Sequence, residues 1–142
     1  MGVGERMIDA EVLWAAGRRE GALLSVLVAV DAAACIEQPD VSHGAAFRSF
    51  LAARHTWNIS VEHRGQLVTV DQLMWKWLRC ELAHEASLPF DVQFYDPADD
   101  PGGLAVRAGG APSYCVLLSA GWYWWLRRLI EDWLQDGPSI PR

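Results

Sequence analysis

Apolar residues fall at helical spacing toward both ends of the chain and alternate with polar ones in its middle. Met7, Ile8, Val12 and Leu13 predict a first helix over residues 5–16, which the Gly17–Gly21 segment breaks or kinks. Residues 22–37 are apolar almost all round and predict a central buried helix, whose one internal charge, Asp31, needs a partner if buried. Gln38, Pro39 and Asp40 end it, and Ser42 is placed to cap a third helix from residue 43 to about 56. The period then changes to two. Ile59, Val61 and His63, then Arg64-Gly65-Gln66, then residues 67–70 read as a β-hairpin. Residues 71–86 return to helical spacing with Asp71 as the expected cap and Pro89 beyond the end. Residues 90–95, 104–107 and 114–118 read as strands separated by the acidic turn 96–103 and by a Gly-Gly-Ala-Pro turn at 109–112. Ser119 is the expected cap of a last helix over residues 121–135, followed by a tail.

The fold class is therefore mainly α: a bundle of four to five helices with a small hairpin and further strands. A length of 142 residues corresponds to one domain, 1–142, with a strand and loop insertion at about 90–118. With 51% hydrophobic and 21% charged residues the chain is globular. Eight tryptophans are many for one small core, and part of that aromatic area is expected to face a partner subunit. The longest apolar run, residues 21–36, is shorter than the roughly 20 residues that span a bilayer, and no basic-then-apolar leader is read. No membrane association is expected. Cys35, Cys80 and Cys115 are odd in number and form no CxxC or other metal spacing, which fits a reducing cytoplasm with no metal and no cofactor.

A net charge of −6 argues against broad, sequence-independent RNA binding, yet the charge is unevenly spread. Residues 1–42 carry 3 basic and 7 acidic groups, net −4; residues 43–79 carry 5 and 2, net +3; residues 80–142 carry 4 and 9, net −5. The basic third leads into Arg79. Arg79 and His84 stand five positions apart near the end of the helix at 71–86. A planar guanidinium holds phosphate oxygens, and an imidazole moves protons near neutral pH. On an ideal α-helix the two lie roughly 140° apart, with Lys76, Cys80 and Ala83 between them and Met74, Trp75, Leu78 and Leu82 on the opposite, core-facing arc. Arg48 and His55 repeat the pattern at another spacing without the same flanks.

The run Leu73-Met74-Trp75-Lys76-Trp77-Leu78-Arg79-Cys80-Glu81-Leu82-Ala83-His84-Glu85 resembles the signature helix of HEPN proteins, the higher eukaryote and prokaryote nucleotide-binding domains, many of which are metal-independent endoribonucleases with an Arg-x(4–6)-His motif. The resemblance implies a HEPN-like helical bundle and attack of an RNA 2′-hydroxyl on the adjacent phosphate. Arg79 and His84 would be catalytic, supported by Lys76, Cys80, Glu81 and Glu85, with Arg48, Arg54 and Arg64 contacting RNA. It also implies a homodimer whose two signature helices make one cleft, and a cytoplasmic bacterial setting in defence or toxin–antitoxin function with an antitoxin or other protein partner. Cys80 stands where active members usually carry Asn, Asp or His. That substitution, the acidic balance and the inserted strands favour the alternative, a non-catalytic HEPN-like module that binds RNA, a nucleotide or a protein partner.

Overall fold

The computed structural model describes residues 2–96, 103–108 and 115–136. They form a mainly helical protein with small strand elements, grouped into two compact units: Met1–Thr56 with Leu126–Arg142, and Trp57–Trp125. Helix α1 (Gly2–Ala15) buries Val3, Met7 and Ala10, one stripe at helical spacing, and leaves Ile8 and Val12 exposed. Gly17 then breaks the helix. It adopts φ +77°, its amide donates to Trp14 O (3.0 Å), and the Arg18 amide donates to Leu13 O (2.9 Å). This paired closure satisfies carbonyls that the helix end would otherwise orphan.

Helix α2 (Arg19–Glu37) carries the core of the first unit, with Leu23, Val26, Leu27, Ala29 and Val30 at most 1% exposed. Its one internal charge, Asp31, is buried too. Helix α3 (His43–Ala52) starts as expected, the Ser42 hydroxyl accepting from the Ala45 amide at 3.3 Å. It stops four residues short of the predicted end because Arg54 turns back. Its guanidinium donates to Phe50 O and to Glu37 Oε1, each at 3.0 Å, and lies 3.5 Å from the Phe50 ring centroid. The same Glu37 oxygen accepts from Trp133 Nε1 at 3.0 Å, so one carboxylate ties the end of α2 to α3 and to the last helix.

In the second unit, β1 (Ser60–His63) and β2 (Gln66–Thr69) pair antiparallel through a two-residue turn. Arg64 and Gly65 in that turn both take positive φ, 54° and 78°, the geometry that matches the strand twist. Period two places Val61 and His63 on the buried face. Next comes α4, one continuous helix of three parts: α-helical Val70–Gln72, π-helical Leu73–Cys80 and α-helical Glu81–Glu85. Its cap is Thr69, whose hydroxyl accepts from the Gln72 amide at 3.2 Å. Asp71, the expected cap, sits in the first turn, where the helix dipole favours a carboxylate. Ala86 ends α4 in the left-handed region at φ 64°, a position that suits glycine. Ala86→Gly is expected to raise stability by about 0.5–1 kcal/mol, read as a higher urea midpoint with unchanged slope.

Strands β3 (Val92–Tyr95), β4 (Val106–Ala108) and β5 (Val116–Ser119) form one sheet in the order β3-β5-β4, with β5 parallel to β3 and antiparallel to β4. The central β5 buries Val116, Leu118 and Ser119. Ser119 is therefore not free to cap the last helix. Its hydroxyl donates to Gly103 O (2.7 Å) and accepts from the Ala105 amide (2.9 Å), tying the segment before β4 to β5. The expected turns at 96–103 and 109–112 lie largely outside the described residues.

Helix α5 (Gly121–Asp136) supplies Trp122 and Tyr123 to the second unit and Leu126, Ile130 and Trp133 to the first, all buried. Trp122 donates from its indole to Ala105 O at 2.9 Å and packs edge-on with Trp57 and Trp125. Of the eight tryptophans, Trp124 alone is classed as exposed, at 47%. Trp122 and Trp133 are buried, and Trp14, Trp57, Trp75, Trp77 and Trp125 are half-buried. Among the large apolar residues left outside, Phe90 and Leu67 are the most exposed of those described, at 86% and 77%, followed by Ile8 and Val12 of α1. No described helix is long and apolar enough to cross a membrane.

Candidate functional site

The second unit gathers its charged chemistry where the hairpin turn meets α4 and the start of β3. Arg64 grips Asp91 with two bonds, Nε to Oδ2 at 2.8 Å and Nη2 to Oδ1 at 3.1 Å. Asp91 is held in place by its own backbone, since its carbonyl accepts from the Val116 amide of β5 at 2.8 Å. Beneath the pair lies His63, with Nε2 3.0 Å from Asp91 Oδ2. His63 makes no hydrogen bond there, so the approach is a contact of charges when the imidazole is protonated. The Trp77 ring closes the group: His63 meets it edge-on at 4.5 Å, and the Arg64 guanidinium lies 4.3 Å from its centroid.

The Arg64 guanidinium, through its hydrogen bonds, holds the Asp91 carboxyl below its ordinary value of 3.8. His63 adds to this, and burial opposes it. Arg64 is shifted upward in turn, chiefly by its hydrogen bond to Asp91, with the fields of Asp91 and Glu81 adding. The left-handed backbone of Arg64 is costly for a residue with a Cβ. The bidentate pair offsets that cost and fixes which way the side chain points.

Further cations lie beside aromatic rings along α4 and at Phe90. Lys76 Nζ lies 5.0 Å from the Trp77 centroid, the Arg79 guanidinium 5.4 Å from the Trp75 centroid, and Arg64 5.6 Å from exposed Phe90. Lys76 is exposed, whereas Trp75, Trp77 and Arg79 are half-buried. Both signature residues lie on α4. Arg79 is the penultimate residue of the π-helical part, and His84 is exposed in the last turn before Ala86. Within an i→i+5 ladder, residues five apart stack nearer to one face than in an α-helix, where they diverge by roughly 140°. Only the start of the Arg79–His84 span lies in that ladder.

The other assigned residues separate. Cys80 is half-buried at the end of the π-helical part, Glu81 is half-buried with its field reaching Arg64, and Glu85 is exposed. Arg48 is exposed on α3. Arg54, expected to contact RNA, is engaged by Glu37 and Phe50, and Arg64 is engaged by Asp91. Asp91 and Trp77 were not singled out from sequence, and His63 only as a strand position. Asp91 is 27 residues from Arg64, and no local spacing reports such a pair. Also missed was a meeting of Asp31, Cys35 and His43 in the first unit, whose ligating atoms all lie within 4.8 Å of one another. Comparison with protein-family models, curated proteins and solved structures finds no match.

Proposed function

We propose that the protein is a HEPN-like, metal-independent endoribonuclease that binds single-stranded RNA along α4, at its cations and aromatic rings. The observation that carries this reading is the placement on one helix of Arg79 beside Trp75, Lys76 beside Trp77, and an exposed His84 one turn on. Rings flanked by cations suit unstacked bases and the phosphates between them. In the reaction, His84 removes the proton from a ribose 2′-hydroxyl while Arg79 binds the phosphate oxygens on which charge builds. The new 2′-O–P bond displaces the 5′-oxygen of the next nucleotide, which takes up a proton, leaving a 2′,3′-cyclic phosphate and a 5′-hydroxyl. Base and acid are needed in turn, and a homodimer with paired α4 helices would present two copies of His84 to one scissile bond. Phe90 and Leu67 offer apolar surface for such a contact, which needs at least about 1,000 Å² to be stable. The resemblance of the helix to HEPN proteins supports a cytoplasmic bacterial defence or toxin–antitoxin role with an antitoxin partner.

The test is incubation of the purified chain with single-stranded RNA in EDTA, circular dichroism confirming that the protein stays folded. Products ending in 2′,3′-cyclic phosphate are expected, and intact RNA at micromolar protein would refute the reading. RNA binding should also follow salt. If both cations of α4, Lys76 and Arg79, meet phosphates, log K against log[salt] has a slope of about −1.4, and Lys76→Ala makes it shallower by about 0.7. Anisotropy of labelled RNA with the His84→Ala chain measures both. A half-buried thiol at Cys80 favours a second reading, a binding module without turnover, which predicts the same salt slope and no cyclic-phosphate product.

A further inference from the structure

We infer that Asp31, Cys35 and His43 form a zinc site in the first unit, a function apart from the RNA face and independent of it. Asp31 and Cys35 are one turn apart on α2 and share a face, the Cys35 thiol donating to Asp31 Oδ1 at 3.7 Å. His43 is the first residue of α3, fixed there by the Ser42 cap. A carboxylate oxygen, a sulfur and an imidazole nitrogen thus converge from two rigid helices to within 4.8 Å of one another. Bonds of about 2.0–2.3 Å in a tetrahedral zinc site put neighbouring ligand atoms roughly 3.3–3.8 Å apart, so the Asp31–Cys35 spacing already matches and His43 has about an ångström to close by side-chain rotation.

The donor set selects the ion. Magnesium and calcium take hard oxygen ligands, whereas thiolate with imidazole and one carboxylate suits zinc or cobalt. Asp31 is 6% exposed, so its charge acts on the cation through a low-dielectric surround. Cys35 gives its thiol proton to solvent as the sulfur–metal bond forms. Three protein ligands leave the fourth position to water on the side of exposed His43, so the site joins α2 to α3 and keeps one position open.

The probe is cobalt(II), added to the full-length chain after chelator treatment and removal of the chelator. One equivalent per chain should produce a thiolate-to-cobalt charge-transfer band and visible bands of tetrahedral intensity, and zinc should bleach them by displacement. Cys35→Ser should lose the charge-transfer band. His43→Ala, a change at an exposed residue that leaves the fold intact, should weaken cobalt binding at least about tenfold. A folded wild-type chain without the band, a band that persists in Cys35→Ser, or unchanged affinity in His43→Ala would each overturn the site. The spectrum is read without RNA, so its outcome is separate from that of the cleavage assay.

Discussion

His84→Ala is expected to lower RNA cleavage by about 10²- to 10⁴-fold, the range that a positioned proton-transfer group supplies, while leaving RNA affinity within a few-fold of wild type. His84 is exposed in the last turn of α4, so its removal opens no cavity and disturbs no buried partner. Arg79→Ala should differ in kind. The guanidinium meets the phosphate both in binding and in the transition state, so KM should rise along with a kcat loss of about 10²–10³. Single-turnover cleavage of a labelled oligonucleotide in EDTA separates these effects, and circular dichroism checks that both variants fold. Cleavage by His84→Ala at the wild-type rate would remove the histidine from the mechanism.

The second large effect is on stability. Asp91→Ala takes the shared acceptor from Arg64 and leaves His63 buried beside an empty space. Arg64, with 43% of its side chain exposed, regains water and suffers little; His63, with 1% exposed, does not. The cost is therefore placed at about 2–3 kcal/mol, below that of breaking a fully buried pair, and should lower Tm by roughly 5–10 °C. Asp91→Asn keeps the shape and removes the charge, which isolates the dependence on pH. The Asp91 carboxyl titrates below 3.8 when folded, so the unfolded chain takes up its proton first as the solution is acidified. Its contribution is complete above about pH 5, begins to fall near the unfolded value and is lost once pH has dropped through the folded one. Urea midpoints measured from pH 7 to pH 3 should show wild type losing more stability than Asp91→Asn over the acid limb. Parallel curves would refute the pairing.

What could be read directly from the sequence was local. Ser42 caps α3, the Arg64-Gly65 turn closes the hairpin, and the three later strands sit within about two residues of their expected places, because each depends on neighbours in the chain. Where a distant partner competes, the expectation shifts. Ser119, expected to cap the last helix, is drawn into the sheet by Gly103 and Ala105. The site divides in the same way. Arg79 and His84 stand out by spacing and flanks on one helix. Asp91 joins His63 and Arg64 only after β3 has been laid beside β5, and His43 reaches Asp31 and Cys35 only across the turn between two helices. Composition, likewise, counts rings without saying that Trp122 and Trp133 fill cores.

The π-helical part of α4 makes the spacing of the helix adjustable. An i→i+5 ladder stores residues that an α-helix would not hold in the same number of turns. Deleting one residue inside Leu73–Cys80 can be absorbed by tightening that ladder toward i→i+4, whereas a deletion inside α2 has no such slack to draw on. Absorbed in this way, the deletion leaves the side chains beyond the ladder, His84 among them, close to the facing they had. The surplus is slack between the rings that would hold a base and the imidazole that would act on its sugar, and a lost residue there is taken up locally.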